Sequence, residues 1–288
     1  LGAENAYADA MMEPTRAMQE LLYNEMVRRI QETDCEAPCR QGEWFYYSRT
    51  EQGKQYPIYC RKHRSLDAPE EVILNENELA ASFAFLRLGI LTVSPNGELL
   101  AYSLDTNGSE VYTLFIKSLK DGTLHPDRMP DVVGVVWAMD NRTLFYTTRD
   151  AAHRAYRLYL HELGTDPAGD SLVYEEQDAL YDVLVSRSRS NAYVFVSSEA
   201  KTSTEVRYVS AEKPRDPLKL IRAREPGHEY FADHHGDRFF IVTNHEAVNF
   251  KLVTAPVAEP GQQNWTDMIP PRPDVTLEGI ELFAHHLV

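Results

Sequence analysis

One phrase recurs along this chain at intervals that few folds accommodate. A strand of mixed aromatic and aliphatic residues, preceded by a turn rich in Asn, Asp, Gly or Ser, stands as FYYSR at 45–49, LLAYS at 99–103, LFYTT at 144–148, YVFVS at 193–197, FFIVT at 239–243 and LFAHH at 282–286. Successive copies start 54, 45, 49, 46 and 43 residues apart. Short strands repeating at that period are the signature of β-propeller blades. The segments SPNG at 94–97, MDNR at 139–142, SRSN at 188–191 and HHGD at 234–237 put turn formers where a hairpin must reverse. A second set of strands, EVYTLFI at 110–116, YRLYLH at 156–161, EVRYVS at 205–210 and NFKLVTA at 249–255, follows the first by about ten residues, as neighbouring strands of a meander do.

The first forty residues differ in kind. Met11, Met18, Leu21, Leu22, Met26 and Ile30 recur at helical spacing among good helix formers, and Pro14 interrupts them. Because proline is tolerated at a helix start but not inside, the pattern predicts one helix over 4–12, oriented by Glu4 and Asn5, and a second over 14–31. The expected division is a helical leader over 1–42 and a β-propeller over 43–288. Tyr56 and Pro57 read as the beginning of a strand, where proline needs no ladder hydrogen bond.

Charge and cysteine content narrow the partners. The chain carries 44 acidic against 29 basic side chains, a formal charge of -15, which disfavours nucleic acid and anionic membranes. Three cysteines, Cys35, Cys39 and Cys60, form no zinc-type spacing and, being odd in number, point to a reducing compartment. No apolar run approaches the roughly 20 residues of a membrane helix. The expectation is a soluble, cytoplasmic protein with no cofactor and no metal.

The sequence contains no G-x-S-x-G elbow, H-E-x-x-H pair, P-loop, G-x-G-x-x-G or EF-hand loop, so no catalytic residue is assigned. His234 and His235 read as solvated turn residues. In GIELFAHHLV at 279–288, alternation predicts the opening strand of another blade, cut before its remaining strands. His285 and His286 would then face opposite sides and could not share an ion. A chain that stops part-way through a blade is expected to be poorly stable or prone to associate.

Several longer phrases go beyond blade filler. AENAY, YNEM, SRTEQGKQYPIYCR, SPNGELLAYSLDTNGSEVYTL, VVWAMDNRTLFYTTRD, YEEQDALYDVLVSRSRSNAYVF and TSTEVRYV resemble, from Leu1 to Val288, the oligopeptidase B branch of the prolyl oligopeptidase family of serine peptidases. That resemblance implies a mainly β chain, an incomplete stretch of a seven-bladed, unsealed propeller. Its leading helices would pack on an α/β-hydrolase domain absent from these residues, which would carry the Ser/Asp/His triad. It further implies a lid that admits short basic peptides, cleaved after Arg or Lys by the whole enzyme, and excludes folded proteins. Arg87, in FLRLGIL, and Glu110, in NGSEVYT, fall where the resemblance places the interdomain face, and are the candidates for an interdomain contact. The alternative is a free-standing propeller that binds proteins without catalysis. The helical leader, and the lack of WD or kelch signatures, argue against it.

Overall fold

A computed structural model describes residues 1–288, which divide into two compact units, Leu1–Ser82 and Phe83–Val288.

The first unit begins with helices α1 (Gly2–Met12) and α2 (Arg16–Arg29), separated by a 3-10 turn over Glu13–Thr15 that contains Pro14. The break is where the proline predicts it. Glu4 does not cap α1: its carboxylate sits 3.7 Å from the Leu1 amino group, and Asn5 serves only through its backbone, donating to the Leu1 carbonyl at 2.9 Å. Both residues already lie inside the first turn, where the Asn5 N–H points back to the Leu1 carbonyl, so the cap position falls earlier, at Leu1. Strands β1 (Cys39–Gln41), β2 (Trp44–Arg49), β3 (Ile58–His63) and β4 (Glu71–Asn75) form an antiparallel sheet in chain order, followed by the short helix α3 (Glu76–Ala80). Pro57 immediately precedes β3, and the backbone of Tyr56 is held by the Asn77 amide, which accepts from Tyr56 N at 3.0 Å and donates to Tyr56 O at 2.7 Å. All three cysteines are free. Cys35 lies opposite Arg49 and Cys39 opposite Tyr46 on the same edge of β2, so their Cα atoms are about 10 Å apart, beyond the reach of a disulfide. Burial, with the Glu70 carboxylate nearby, pushes the Cys60 thiol up to about 11.

The second unit contains four more antiparallel meanders. They are β5 (Arg87–Val93), β6 (Leu99–Asp105), β7 (Thr113–Ser118) and β8 (Leu124–Met129); β9 (Val132–Trp137), β10 (Thr143–Arg149), β11 (Ala155–Glu162) and β12 (Ser171–Glu175); β13 (Asp182–Arg187), β14 (Tyr193–Ala200), β15 (Ser203–Ser210) and β16 (Lys219–Arg222); and β17 (Tyr230–His235), β18 (Arg238–Thr243), β19 (Lys251–Pro256) and β20 (Thr266–Ile269). Each sheet runs in chain order, so each is one blade. The first strands neighbour one another, β5 beside β9 and β9 beside β13.

The core lies between consecutive sheets. Ala101, Leu114, Ile116 and Met129 of one pack on Trp137, Leu144 and Tyr146 of the next. Phe145, Leu158 and Leu160 then pack on Val183, Val194 and Val196, and Phe195, Val206 and Tyr208 pack on Tyr230, Phe239 and Ile241. A sheet covered on both faces needs apolar residues on both, so β6 and β10 are buried along nearly their whole length without alternation. These second strands are the recurring phrase. The hairpins leading into them place Gly97, Asn141, Asn191 and Gly236 at φ between 60° and 77°, a conformation open to glycine and, at small cost, to asparagine.

Two sequence expectations fail here. Residues 279–288 form no blade strand: Leu282 bridges only Leu287, the Phe283 N–H donates to the His286 carbonyl at 2.9 Å, and the two rings stack at 4.5 Å. His285 and His286 therefore sit in a tight reversal, not on opposite faces of a strand. His234 and His235 belong to the end of β17, and His234 is buried, donating to or accepting from Ser190 Oγ at 2.8 Å. The reversal is shorter than HHGD suggested, with only Gly236 and Asp237 between paired His235 and Arg238.

His228 gives this unit a pH dependence. It is 5% exposed, its Nε2 pairs with Thr243 Oγ1 at 2.8 Å, and its Nδ1 has no partner. Burial first, then the charges of Arg222 and His245, push the ring down to about 4. The unfolded chain takes up this proton near pH 6.5 and the folded chain does not, so its contribution is complete above pH 6.5 and is lost as the pH falls towards 4. The expected loss is about 3 kcal/mol across that window. Urea midpoints recorded against pH should show a flatter profile for His228→Phe, and an identical slope in the variant would refute the assignment.

Candidate functional site

The Arg87 and Glu110 predicted from sequence meet at one end of the β5–β8 blade. Arg87 opens β5, and Glu110 lies in the loop between β6 and β7 at φ 60°. Their closest atoms, Nη1 and Oε1, are 3.4 Å apart, with 60% and 65% of the side chains exposed. A pair this wet contributes little to stability.

What fixes Glu110 is Asp105, at the end of β6. Its Oδ1 accepts from Asn107 N at 3.0 Å and Gly108 N at 2.9 Å, and its Oδ2 accepts from Glu110 N at 2.8 Å. Burial opposes the charge on Asp105, but the backbone donors of Asn107, Glu110 and Gly108 outweigh it and hold the carboxyl below its ordinary range. Arg149, at the end of β10 and 11% exposed, ties this loop to the neighbouring blade. It donates through Nε to Asp131 Oδ1 at 2.7 Å and through Nη2 to the Glu110 carbonyl, while Nη1 meets His153 Nδ1 at 2.9 Å. Arg87, Glu110, Tyr112, Val133 and Arg149 thus rim a cavity of about 370 Å3. Sequence reasoning missed Asp105 and Arg149, although Asp two residues before Asn-Gly is the local mark of an Asx turn.

Gly89 forms the cavity floor. A Cβ there would stand 2.7 Å from the Tyr112 ring and 2.8 Å from Ser103 Oγ, which accepts the Ile90 N–H at 2.9 Å. Gly89→Ala should therefore cost about 1–3 kcal/mol in urea unfolding by overpacking a strand that carries a register shift. A loss below about 0.3 kcal/mol would mean that the ring moves freely.

The site offers two cations, Arg87 and Arg149, and three carboxylates, Asp105, Glu110 and Asp131, an arrangement suited to charge pairing and not to nucleophilic attack. Elsewhere, Ser190 and His234 form the closest serine–histidine pair, but no ion pair joins that imidazole to an acid. Burial also pushes His234 down, against the pull of Asp233.

Comparisons with known proteins agree with this architecture. A family profile described as the prolyl oligopeptidase N-terminal β-propeller domain matches residues 1–288. Dipeptidyl aminopeptidase BI of Pseudoxanthomonas mexicana is 39% identical over 98% of this chain, which spans 42% of that relative. Protease 2 of Moraxella lacunata is 37% identical over 89% of the chain, which spans 38% of its length. Among solved structures, oligopeptidase B from Leishmania major superposes with a TM-score of 0.89 at 30% identity, covering 96% of this chain and 40% of that one. The closed, antipain-bound oligopeptidase B from Trypanosoma brucei gives 0.91 at 29%, covering 99% and 41%. Meanders in chain order, cores between blades and matches along all 288 residues together make this chain a member of the prolyl oligopeptidase family of serine peptidases, in its oligopeptidase B branch, as the N-terminal helical leader and β-propeller portion.

Proposed function

We propose that this chain is the substrate-gating part of a cytoplasmic serine endopeptidase that cleaves short peptides after Arg or Lys, the bond-breaking groups being supplied by an α/β-hydrolase domain outside these residues. In this reading residues 1–42 dock on that domain and 43–288 form the propeller. The observation that carries it is the leading helix pair. Met11, Met18, Leu21, Leu22, Met26 and Ile30 are all about half or more exposed, and neither helix buries a single residue. So many large apolar side chains in 29 residues mark a contact surface. The coverage of 38–42% of the named relatives supports a partner domain. No helix of the chain is long and apolar enough to cross a membrane.

Arg87 and Glu110 are assigned to the interdomain face. Because their mutual pair is exposed, either can exchange its partner for an opposite charge on a closing domain, shifting an open–closed equilibrium by about 1–3 kcal/mol. A ring of blades would admit a flexible peptide and exclude a folded protein, and water exclusion would strengthen the electrostatics inside.

The test is a cleavage series with the full-length enzyme. Arg- and Lys-containing peptides of rising length should be cut efficiently, with kcat/KM collapsing once the same sequence is embedded in a folded protein. Equal cleavage after Leu, or of the folded protein, would refute the proposal. The name of the Pseudoxanthomonas relative favours a second reading, removal of dipeptides from a free amino terminus. Acetylated reporters separate the two, because an endopeptidase still cuts them.

A further inference from the structure

Three strained loops converge on one guanidinium. Glu110, in the loop between β6 and β7, Asp131, between β8 and β9, and His153, between β10 and β11, have φ of 60°, 58° and 66°. All lie in the left-handed region, which residues with a Cβ enter at a cost. Arg149, the last residue of β10, touches each of them. Its Nη2 donates to the Glu110 carbonyl, its Nε donates to Asp131 Oδ1 at 2.7 Å, and its Nη1 meets His153 Nδ1 at 2.9 Å. Backbone strain of this kind persists only where contacts impose it, and it gathers at switch points.

One of the three contacts differs in kind from the other two. A carbonyl and a carboxylate accept from arginine throughout the neutral range, but an imidazole nitrogen accepts only while it carries no proton. Arginine has no acceptor and stays charged, so the Arg149–His153 contact requires a neutral ring with its proton on Nε2. Protonation at Nδ1 sets two donors and two positive charges against each other. His153 is exposed, so solvent protons reach the ring.

The charged groups around this contact are Arg149 from β10, Asp131 from the β8–β9 turn, Glu110 from the β6–β7 loop, and Asp150 and Arg154 from the ring's own loop, which pair with each other at 3.0 Å. The Arg154 backbone N–H, against some burial, holds the Asp150 carboxyl below its ordinary range. Burial opposes the charge on Asp105, which fixes the Glu110 N–H, yet its backbone donors hold it down as well. These two acids, which shape the two loops, therefore keep their charge between about pH 8 and 5, where histidine gains its proton.

We propose that Arg149 and His153 form a proton-operated catch on the loop that carries Glu110. With His153 neutral, the guanidinium is held from three sides and fixes the Glu110 carbonyl. With a proton from solvent on His153 Nδ1, the guanidinium is repelled, its grip on that carbonyl loosens, and the strained loop relaxes. The catch rests on the contacts of Arg149 and stands whether or not the peptidase reading does. Where Glu110 faces a closing domain, the same proton would set how firmly that carboxylate is presented.

Amide hydrogen exchange and nitrogen NMR of the 288-residue chain, at about pH 7.5 and about pH 5.5, test it. At the higher pH the His153 ring should be the Nε2–H tautomer. After correction for intrinsic exchange chemistry, protection of the Gly108 and Glu110 amides should fall at least about tenfold at the lower pH, while the amides of β14 and β15 keep theirs. In His153→Gln, which stays neutral, that fall should vanish. The tautomer and the exchange profile are read from the unaltered protein and so survive a variant that fails to fold. An Nδ1–H tautomer, loop protection that ignores pH, an equal loss across β14 and β15, or the same fall in His153→Gln would each overturn the proposal.

Discussion

Replacing His161 by leucine is expected to destabilise Phe83–Val288 by about 3–5 kcal/mol. His161, on β11, is completely buried. Its Nε2 lies 2.9 Å from Asp127 Oδ1, on β8 of the preceding blade, and its Nδ1 lies 2.9 Å from Asp170 Oδ1, just ahead of β12. Each ring nitrogen therefore faces a carboxylate oxygen at hydrogen-bond distance. Tyr146 OH donates to Asp170 Oδ2 at 2.9 Å and Gly164 N to Asp127 Oδ1 at 2.7 Å, so the chain of contacts joins two blades through their shared core. Burial disfavours the Asp127 carboxylate, yet Gly164 N and His161 together hold it below its ordinary range. Leucine would leave two acidic side chains in a dry interface without the ring they bond to. Urea unfolding reads the loss, and adding Asp127→Asn and Asp170→Asn to the leucine variant should recover part of it, because the buried charges then disappear. A loss under about 1 kcal/mol for the single variant would mean that water already reaches the carboxylates.

The second large effect depends on context. Leu21 is 68% exposed on α2, so Leu21→Glu in the 288-residue chain should change stability by less than about 0.5 kcal/mol. In the full-length enzyme the proposed docking would bury that leucine, and the same change should cost about 3 kcal/mol or more, combining lost apolar burial with a charge forced into the contact. Thermal melts of both proteins make the comparison. Equal, small effects would remove the helix pair from any interdomain contact.

How much of the fold is legible in the sequence follows from burial. The phrases at 99–103, 144–148, 193–197 and 239–243 fall on second strands that are mostly buried and so show nearly unbroken apolar runs, whereas the phrase at 45–49 falls on β2, where only Tyr47 is buried. First strands are harder to read because part of each stays exposed, as in β5 and β13. LFAHH carries the same pattern without becoming a strand, since a strand exists only by pairing and residues 279–288 bond chiefly to one another. Arg87 and Glu110 are legible as positions but not as each other's partners, 23 residues apart. Asp127, His161 and Asp170 leave no trace in the sequence pattern, because their meeting depends on how two blades pack and not on any local spacing.

The central claim is that these residues gate a peptidase without performing its chemistry, and turnover of a fluorogenic Arg-containing peptide by the purified 288-residue chain tests it most directly. No hydrolysis above background is expected, with or without a serine-directed inhibitor. Sustained turnover that such an inhibitor abolishes, retained through repeated purification, would place a working nucleophile inside this chain and contradict the claim.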